Sequence, residues 1–301
     1  MKTNQSRRSF FGSLRGALGM GLLGRTLKGG ETPLPPPAEG YVNPKRVLLW
    51  ECTRKEIREA LQAGHLKAAI IPTGSTEQHN EHLAMICDTA CATLISQQAA
   101  LRLYPQVTVT TPCPIGYSPY HMERPGTLWI HKETFLAYVY DVINSLKFHG
   151  IKTVYVVNGH AGNHKFLQDA LPEWRQKFGI TIDANSYWNG YTPEDLKKYL
   201  QSGAGVSHAA EFETSLLMAA FPDRVRRFTM EEYDQAKLDF DKETVITPAG
   251  ENARDRARQE QALLATAEKG QALITIATRF IEEKLRKMIA ATEAGKPWTG
   301  A

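Results

Sequence analysis

An α/β fold is what this sequence predicts: a three-layer αβα sandwich around a mostly parallel central sheet. Three observations carry that expectation. Short apolar, β-rich runs alternate with longer helical patterns, the order that builds a parallel sheet covered by helices. Residues with ligand chemistry follow the ends of predicted strands, where sites sit in such folds. The 301 residues, 42% of them hydrophobic, suffice for one full-sized core, and neither an internal repeat nor a second domain is visible.

Taken in chain order, residues 1–30 read as an export signal. Ser6-Arg7-Arg8-Ser9-Phe10-Phe11 is a twin-arginine pattern, and the weakly apolar, glycine-rich stretch Leu14–Leu23 that follows is too short to span a bilayer. This predicts a periplasmic or exported protein without a stable membrane anchor; a basic tail is the competing reading. No Ala-x-Ala cleavage site is visible, and no Cys near the apolar stretch suggests a lipoprotein. Residues 31–44 read as a stiff linker, punctuated by Pro33, Pro35, Pro36 and Pro37. From 45 to 301 the chain reads as one domain. Strands are expected at Val47–Trp50, Ala68–Pro72, Val107–Pro112, Thr153–Val157 and Ile180–Ala184. Helices are expected at Thr53–Ala63, Thr89–Leu103, Lys132–His149, His164–Phe178 and Ala209–Phe221, with a last long one from about Glu251 to Ala291.

Charge excludes one class of partner. The formal net charge is +4, but residues 1–30 hold six cations and no acid; the remainder carries 30 basic against 32 acidic residues, a net of −2. Nothing there suggests nucleic acid. Cys52, Cys87, Cys91 and Cys113 form no C-x-x-C pair and read as small hydrophobes, although Cys87 adjoins Asp88.

Three segments carry chemistry. In Gly74-Ser75-Thr76-Glu77-Gln78-His79, Glu77 and His79 are two residues apart, so an extended segment points both to one face. Asp88 follows nine residues after His79, with room between for the chain to turn back. Val154-Tyr155-Val156-Val157-Asn158-Gly159-His160 is a buried-strand pattern ending on His160. Ser207-His208-Ala209-Ala210-Glu211-Phe212-Glu213-Thr214-Ser215 leads into the apolar helix that continues from Leu216 to Phe221, with its charges in the first turn. Mixed carboxylate and imidazole donors suit zinc or manganese.

In this order the segments resemble the creatininase family of metal-dependent amidohydrolases, which reads roughly Gly-Ser-x-Glu-Gln-His, a later Asp, Asn-Gly-His, and His-Ala-Gly-Glu-x-Glu-Thr-Ser. Softer matches are Gly116-Tyr117-Ser118 with His121 and Pro125-Gly126-Thr127, and Ala265-Thr266-Ala267-Glu268-Lys269-Gly270. The resemblance spans about residues 45–290. It implies two divalent ions, Zn2+ and/or Mn2+ with Fe2+ as a further candidate, and a homo-oligomer, often a hexamer. It further implies Glu77, Asp88 and His160 on one ion, and His79, Asp88 and one further carboxylate on the other. Such a pair polarises a carbonyl and makes water nucleophilic near neutral pH.

The further carboxylate is where this chain departs. Members that hydrolyse creatinine look like Asn-Gly-His-Tyr-Glu-Asn with the Glu as ligand, whereas here Ala161 and Gly162 occupy those places. Glu211, three residues after His208, is the expected replacement. His208 and Glu213 are then left for proton transfer; if the helix begins at Ala209, Glu211 and Glu213 point about 200° apart. His82 is expected either to orient a ligand or simply to pack, and His121 either to reach the pocket or to be solvated. His164 is expected to do nothing, and Trp174 and Trp188 to be pocket wall or core. Asn80-Glu81 and Arg124 replace the family's Gly-Pro and Phe, altering the loop and the pocket mouth. The expected activity is hydrolysis of a non-peptide or cyclic C–N amide bond in a small molecule. The alternatives are a peptidase acting on a small modified peptide and a non-catalytic metal-binding protein of the same fold.

Overall fold

The computed structural model describes residues 45–122, 124–226, 229–232 and 253–300. The twin-arginine signal, the linker and the start of the predicted last helix at Glu251 lie outside the described residues. Four strands, β1 (Ala68–Thr73), β2 (Val107–Val109), β3 (Thr153–Asn158) and β4 (Thr181–Ser186), form one sheet in the order β2-β1-β3-β4. Every pairing is parallel, with Ala68 level with both Val107 and Thr153, and Thr153 level with Thr181.

The strands are buried on both faces, as a parallel sheet requires, and alternate side chains feed two cores. Ile70, Tyr155 and Val157 pack with α2 (Cys87–Arg102), α6 (Glu211–Ala220) and the long C-terminal helix α8 (Ala267–Glu293). Ala69, Ile71, Val154, Val156 and Ile182 pack on the other side with α3 (Lys132–Phe148) and α4 (Ala161–Phe178). This is the expected αβα sandwich. Smaller helices are α1 (Arg54–Gln62), α5 (Pro193–Tyr199) and α7 (Ala253–Ala262). Among the described residues no helix is long and apolar enough to cross a membrane.

Several elements differ from expectation, five of them for a clear local reason. Val47–Trp50 is not a strand: Leu48 makes a single bridge to Val109, then Leu49–Glu51 tightens into a 3-10 turn. That turn feeds α1, whose Thr53–Glu56 capping box satisfies both partners' backbone N–H groups. Helix α4 starts at Ala161, three residues early, leaving His160 as its extended N-cap. Helix α5, not anticipated, is set by Thr192 capping Asp195 with Pro193 at the first position. Helix α6 starts at Glu211, because Ala209 is left-handed (φ 50°) and Ala210 is extended. The last helical stretch is two helices, α7 and α8, the second restarted by the Thr266 side chain accepting from Lys269 N.

The topology places the site. Strand order reverses between β1 and β3, whose exit loops lead to helices on opposite faces of the sheet; such a switch point opens a crevice beyond the strand ends. Asn158, the last residue of β3, ties the strand ends there: its Oδ1 accepts from Thr73 Oγ1 (3.0 Å) and His160 N (3.2 Å), and its Nδ2 donates to Ser186 Oγ (2.9 Å).

Candidate metal centre

Each side chain of the cluster is delivered by an element end. The loop leaving β1 carries Glu77 and His79, the first turn of α2 carries Asp88, the residue after β3 and Gly159 is His160, and the first turn of α6 carries Glu213. Helix α2 can come this close because position 159 lacks a side chain: a Cβ there would stand 2.2 Å from Asp88 O. Glu77, His79, Asp88 and His160 are all buried together, so the structure gathers the four residues expected from the first two motifs.

Asp88 is the hub. Its Oδ1 lies 3.0 Å from His79 Nε2 and its Oδ2 lies 3.0 Å from His160 Nδ1. A second carboxylate stands beside each imidazole: Glu213 Oε2 is 3.4 Å from His79 Nε2, and Glu77 Oε2 is 3.2 Å from His160 Nδ1. Each histidine turns its other ring nitrogen to a backbone carbonyl, His79 Nδ1 to Glu77 O and His160 Nε2 to Tyr117 O, both at 3.0 Å. Donation of those N–H groups fixes the tautomer and aims the opposite nitrogen at the carboxylates, the usual support of a ligating imidazole.

Burial resists charge on both rings, but Asp88 and Glu213 around His79, and Asp88 and Glu77 around His160, outweigh it. They hold the pKa of His79 well above its ordinary value and push that of His160 up to about 10. Burial likewise opposes ionisation of Asp88, and the two imidazoles overcome it, leaving its carboxyl far below the usual range. Glu213 is raised, burial outweighing His79.

Glu211 is not in the cluster. It is buried with its carboxylate accepting from Gln201 N (3.0 Å), Ser202 N (2.7 Å) and Lys269 Nζ (2.6 Å). Glu213, expected for proton transfer, stands at the cluster instead, its Oε2 also accepting from Ala209 N at 2.6 Å. On α6 the two acids face different directions, Glu213 toward His79 and Glu211 toward Lys269 of α8. Gly162 closes the alternative place: a Cβ there would be 2.4 Å from Tyr117 O and from Tyr120 Oη.

The cluster floors a cavity of about 660 Å³ whose wall includes His208, His121, Tyr120 and Trp188. Gln78 Nε2 donates to His121 Nδ1 (3.0 Å) and His208 Nε2 (3.2 Å), so both rings present their remaining N–H toward Glu77 Oε1, at 3.8 Å from His121 Nε2 and 3.5 Å from His208 Nδ1. The two rings stack at 4.6 Å. Burial first, then the neighbouring imidazoles, depress His208 well below its ordinary pKa, and burial depresses His121.

Of the remaining expectations, His82 touches no member of the cluster. It bridges Thr214 Oγ1 (2.8 Å) and Gln259 Oε1 (3.1 Å), and burial lowers its pKa to about 4. His164 meets Ser186 Oγ, and Trp174 belongs to the core under α3 and α4. Cys87, Cys91 and Cys113 are buried and Cys52 half-buried, none in a disulfide. Sequence reasoning missed Gln78, Tyr120, Asp255 and Arg258. Gln78 lies inside the first motif and could have been found there, whereas α7 carries no motif.

The residues present fit divalent ions. Glu77, Asp88 and Glu213 are 2%, 3% and 7% exposed, and among the described residues the charged groups within ion-pair reach of them are imidazoles. Glu77 Oε2 is buried without a hydrogen bond. Three buried carboxylates require a compensating positive charge. The donor atoms form three overlapping groups, His79–Cys87–Asp88–Glu213, Glu77–Asp88–His160 and Glu77–His121–His208, each with its atoms within 4.8 Å of one another.

A family model, Creatininase (creatinine amidohydrolase), matches residues 50–285. Creatinine amidohydrolase of Pseudomonas putida is 26% identical over 269 residues, covering 82% of this chain and 99% of that protein. 3-Dehydro-scyllo-inosose hydrolase of Thermotoga maritima is 32% identical over 185 residues, covering 60% of this chain and 58% of that one. Mycofactocin precursor peptide peptidase of Mycobacterium ulcerans is 29% identical over 163 residues, 52% and 59% of the respective chains. Among solved structures, a manganese creatininase superposes with a TM-score of 0.64 at 23% identity over 80% of this chain and 98% of the other, a likeness of fold.

Proposed function

The chain belongs to the creatininase family, and on that premise we propose that it hydrolyses a non-peptide or cyclic carbon–nitrogen amide bond with the help of two divalent ions, zinc or manganese. One observation carries the reading: the two oxygens of Asp88 each face a histidine, and each histidine has a second carboxylate beside it. Glu77, Asp88 and His160 would hold one ion, and His79, Asp88 and Glu213 the other. When bound, such ions make water acidic near neutral pH and stabilise charge growing on an attacked carbonyl.

The protein's own groups supply position and protons. Backbone carbonyls of Glu77 and Tyr117 lock the two imidazoles in place. His208, neutral and lining the cavity, accepts a proton from the attacking water at Nε2 in exchange for its bond from Gln78, and passes it to the leaving nitrogen, a contribution of roughly a hundredfold. Glu213 serves as a ligand in this scheme, and Glu211 takes no part. The fit of Tyr120 against Gly162 leaves no room for the glutamate of the creatinine-hydrolysing pattern, so creatinine is a poor substrate.

Elemental analysis and turnover test this together. The loaded protein holds two ions per chain, loses amide hydrolysis to a chelator, and regains it with zinc or manganese. Asp88→Asn holds neither ion and is slowed by about a thousandfold or more. Chelator-resistant turnover rejects the reading, and a loaded protein inert toward every amide and peptide tried is the non-catalytic alternative. A panel of formamides, cyclic amides, creatinine and short peptides separates amidohydrolase from peptidase; creatinine turned over as fast as the best compound defeats the substrate argument. The peptidase reading draws support from the mycofactocin peptidase relative and from a cavity roomier than a single small ring needs. Export by the twin-arginine route and assembly as a hexamer are proposed as well, and are tested by cell fractionation and light scattering.

A further inference from the structure

The cavity has a second polar wall that ion binding does not explain. Arg124, in the loop after His121, and Arg258, on α7, both line it together with Asp255. One carboxylate serves both guanidinium groups: Arg124 Nη2 donates to Asp255 Oδ2 at 3.3 Å, and Arg258 Nη1 to Asp255 Oδ1 at 3.1 Å. Among the described residues these two cations share one anion, an excess of one positive charge. Each guanidinium carries five N–H donors in a rigid fork, and among the described residues the side-chain bonds to Asp255 engage one nitrogen of each.

Three observations make this a built feature rather than a solvated surface pair. The side chains of Arg124 and Arg258 are 27% and 22% exposed and that of Asp255 12%, so the wall is largely sheltered. Helix α7 is anchored to the metal-side loop, because Asn80 Nδ2 donates to Asp255 O at 3.1 Å and His82 meets Gln259 at 3.1 Å. Arg258 is therefore carried on an element fixed relative to Glu77 and His79, and Arg124 is tied to it through Asp255, which lowers the cost of binding. The field of Arg258 also reaches His121 and His208, where it adds to the downward shift that burial dominates.

We propose that the substrate carries a carboxylate and that Arg124 and Arg258 bind it, selecting an anionic amide over its neutral counterpart. The inference rests on the hydrolase reading of the same cavity and adds the substrate class. A carboxylate is favoured over a phosphate because one excess positive charge matches a monoanion, whereas a dianion would leave net negative charge beside Glu77. Bidentate pairing of guanidinium with carboxylate supplies the selectivity.

The test uses zinc-loaded full-length protein and calorimetry with matched probes: succinamate, succinamide and 3-phosphonopropanamide. Wild type binds succinamate about tenfold or more tightly than succinamide. In Arg124→Gln, where Asp255 cancels the remaining guanidinium, that preference falls to about twofold or less while ion content stays at the wild-type value. Arg124→Lys, which keeps the charge without the fork, falls between. A preference that survives in Arg124→Gln and in the double variant with Arg258→Gln places the carboxylate on the ions and overturns the proposal. So does absence of preference in wild type, and an arginine-dependent preference for the phosphonate over succinamate overturns the choice of carboxylate. Failure of the hydrolase reading looks different: no amide is turned over, yet the arginine-dependent binding ratio persists. Arg124 lies on a loop, so its single variant remains readable should the double variant fail to fold.

Discussion

Glu211 and Glu213 sit two residues apart on one helix, both buried, and end in opposite circumstances. Glu211 is met by a lysine, which is permanently charged at neutral pH, and by two backbone N–H groups. Glu213 is met by one backbone N–H and by His79, whose charge can be surrendered. Burial opposes ionisation of both, but the donors hold Glu211 below its ordinary pKa while Glu213 stays above. A buried carboxylate neutralised by an ammonium is spoken for. One neutralised by imidazole is open to exchange, because a cation can replace the imidazole's proton. The difference between a structural acid and the proposed ligand therefore lies in the partner's ability to give up its charge, not in depth of burial.

The sharpest way to break this comparison is to remove each negative charge in turn. Glu213→Gln should lose one of two bound ions and slow hydrolysis by about a thousandfold, with little change in the melting temperature of the chelated protein. Glu211→Gln should keep both ions and most activity but lose stability. A fully stranded partner would cost about 3–5 kcal/mol. Here Lys269 Nζ retains Gln201 Oε1 and Leu264 O as acceptors, so about 2 kcal/mol is expected. Elemental analysis and thermal melts read both. Ion loss from Glu211→Gln with retention in Glu213→Gln would reverse the roles.

Acidity gives the next largest effect. In the ion-free protein the raised pKa values of His79 and His160 mean that their pairing with Asp88, Glu77 and Glu213 stabilises the fold in full below the unfolded histidine value of about 6.5. The His160 share of that stabilisation is lost as pH rises through about 10, and the His79 share as pH rises through its own raised value. Chelated protein should therefore melt several degrees lower at pH 10 than at pH 7, and loaded protein should change less. At pH 7, ion uptake should release protons, so apparent affinity climbs with pH. Calorimetry in buffers of different ionisation enthalpy measures that release; a value of zero would mean that both rings are already neutral, and the contrast drawn for Glu213 would fail.

The parts of the site that were legible in the sequence are those where strand direction does the positioning. Glu77 and His79 follow β1, His160 follows β3, and alternation plus the parallel order brings them to one crevice. The sandwich itself was legible for the same reason, since Thr153–Asn158 and Ala68–Thr73 are mainly apolar runs, buried throughout. What could not be read was backbone detail without side-chain periodicity. One left-handed residue, Ala209, delays α6 by two positions, and Glu213 rather than Glu211 faces His79. Leu263 and Leu264 continue a helical pattern through the turn that separates α7 from α8, hiding the placement of Arg258. Val47 and Leu48 look like a strand, yet they hold only the margin of the sheet, because Thr53 and Glu56 favour a helix immediately after.

The smallest effect comes from removing the Glu211–Lys269 pair whole. If that pair is merely structural, its two desolvation costs nearly cancel its attraction, and an apolar substitute of similar volume should serve as well. Glu211→Met combined with Lys269→Met should thus change stability by about 1 kcal/mol or less, although Glu211→Gln alone costs more. The residual loss arises at Gln201 N and Ser202 N, which forfeit their acceptor; both belong to a half-exposed loop where water can take its place. Ion content should stay at two. The same exchange is not available at Glu213 and His79, where an apolar pair would remove two of the proposed ligands at once. A double-mutant cycle across 211 and 269 with a coupling near 2 kcal/mol, and none to hydrolysis, would place the ion pair wholly on the stability side; coupling to turnover would show that the α6–α8 contact also sets the aim of Glu213.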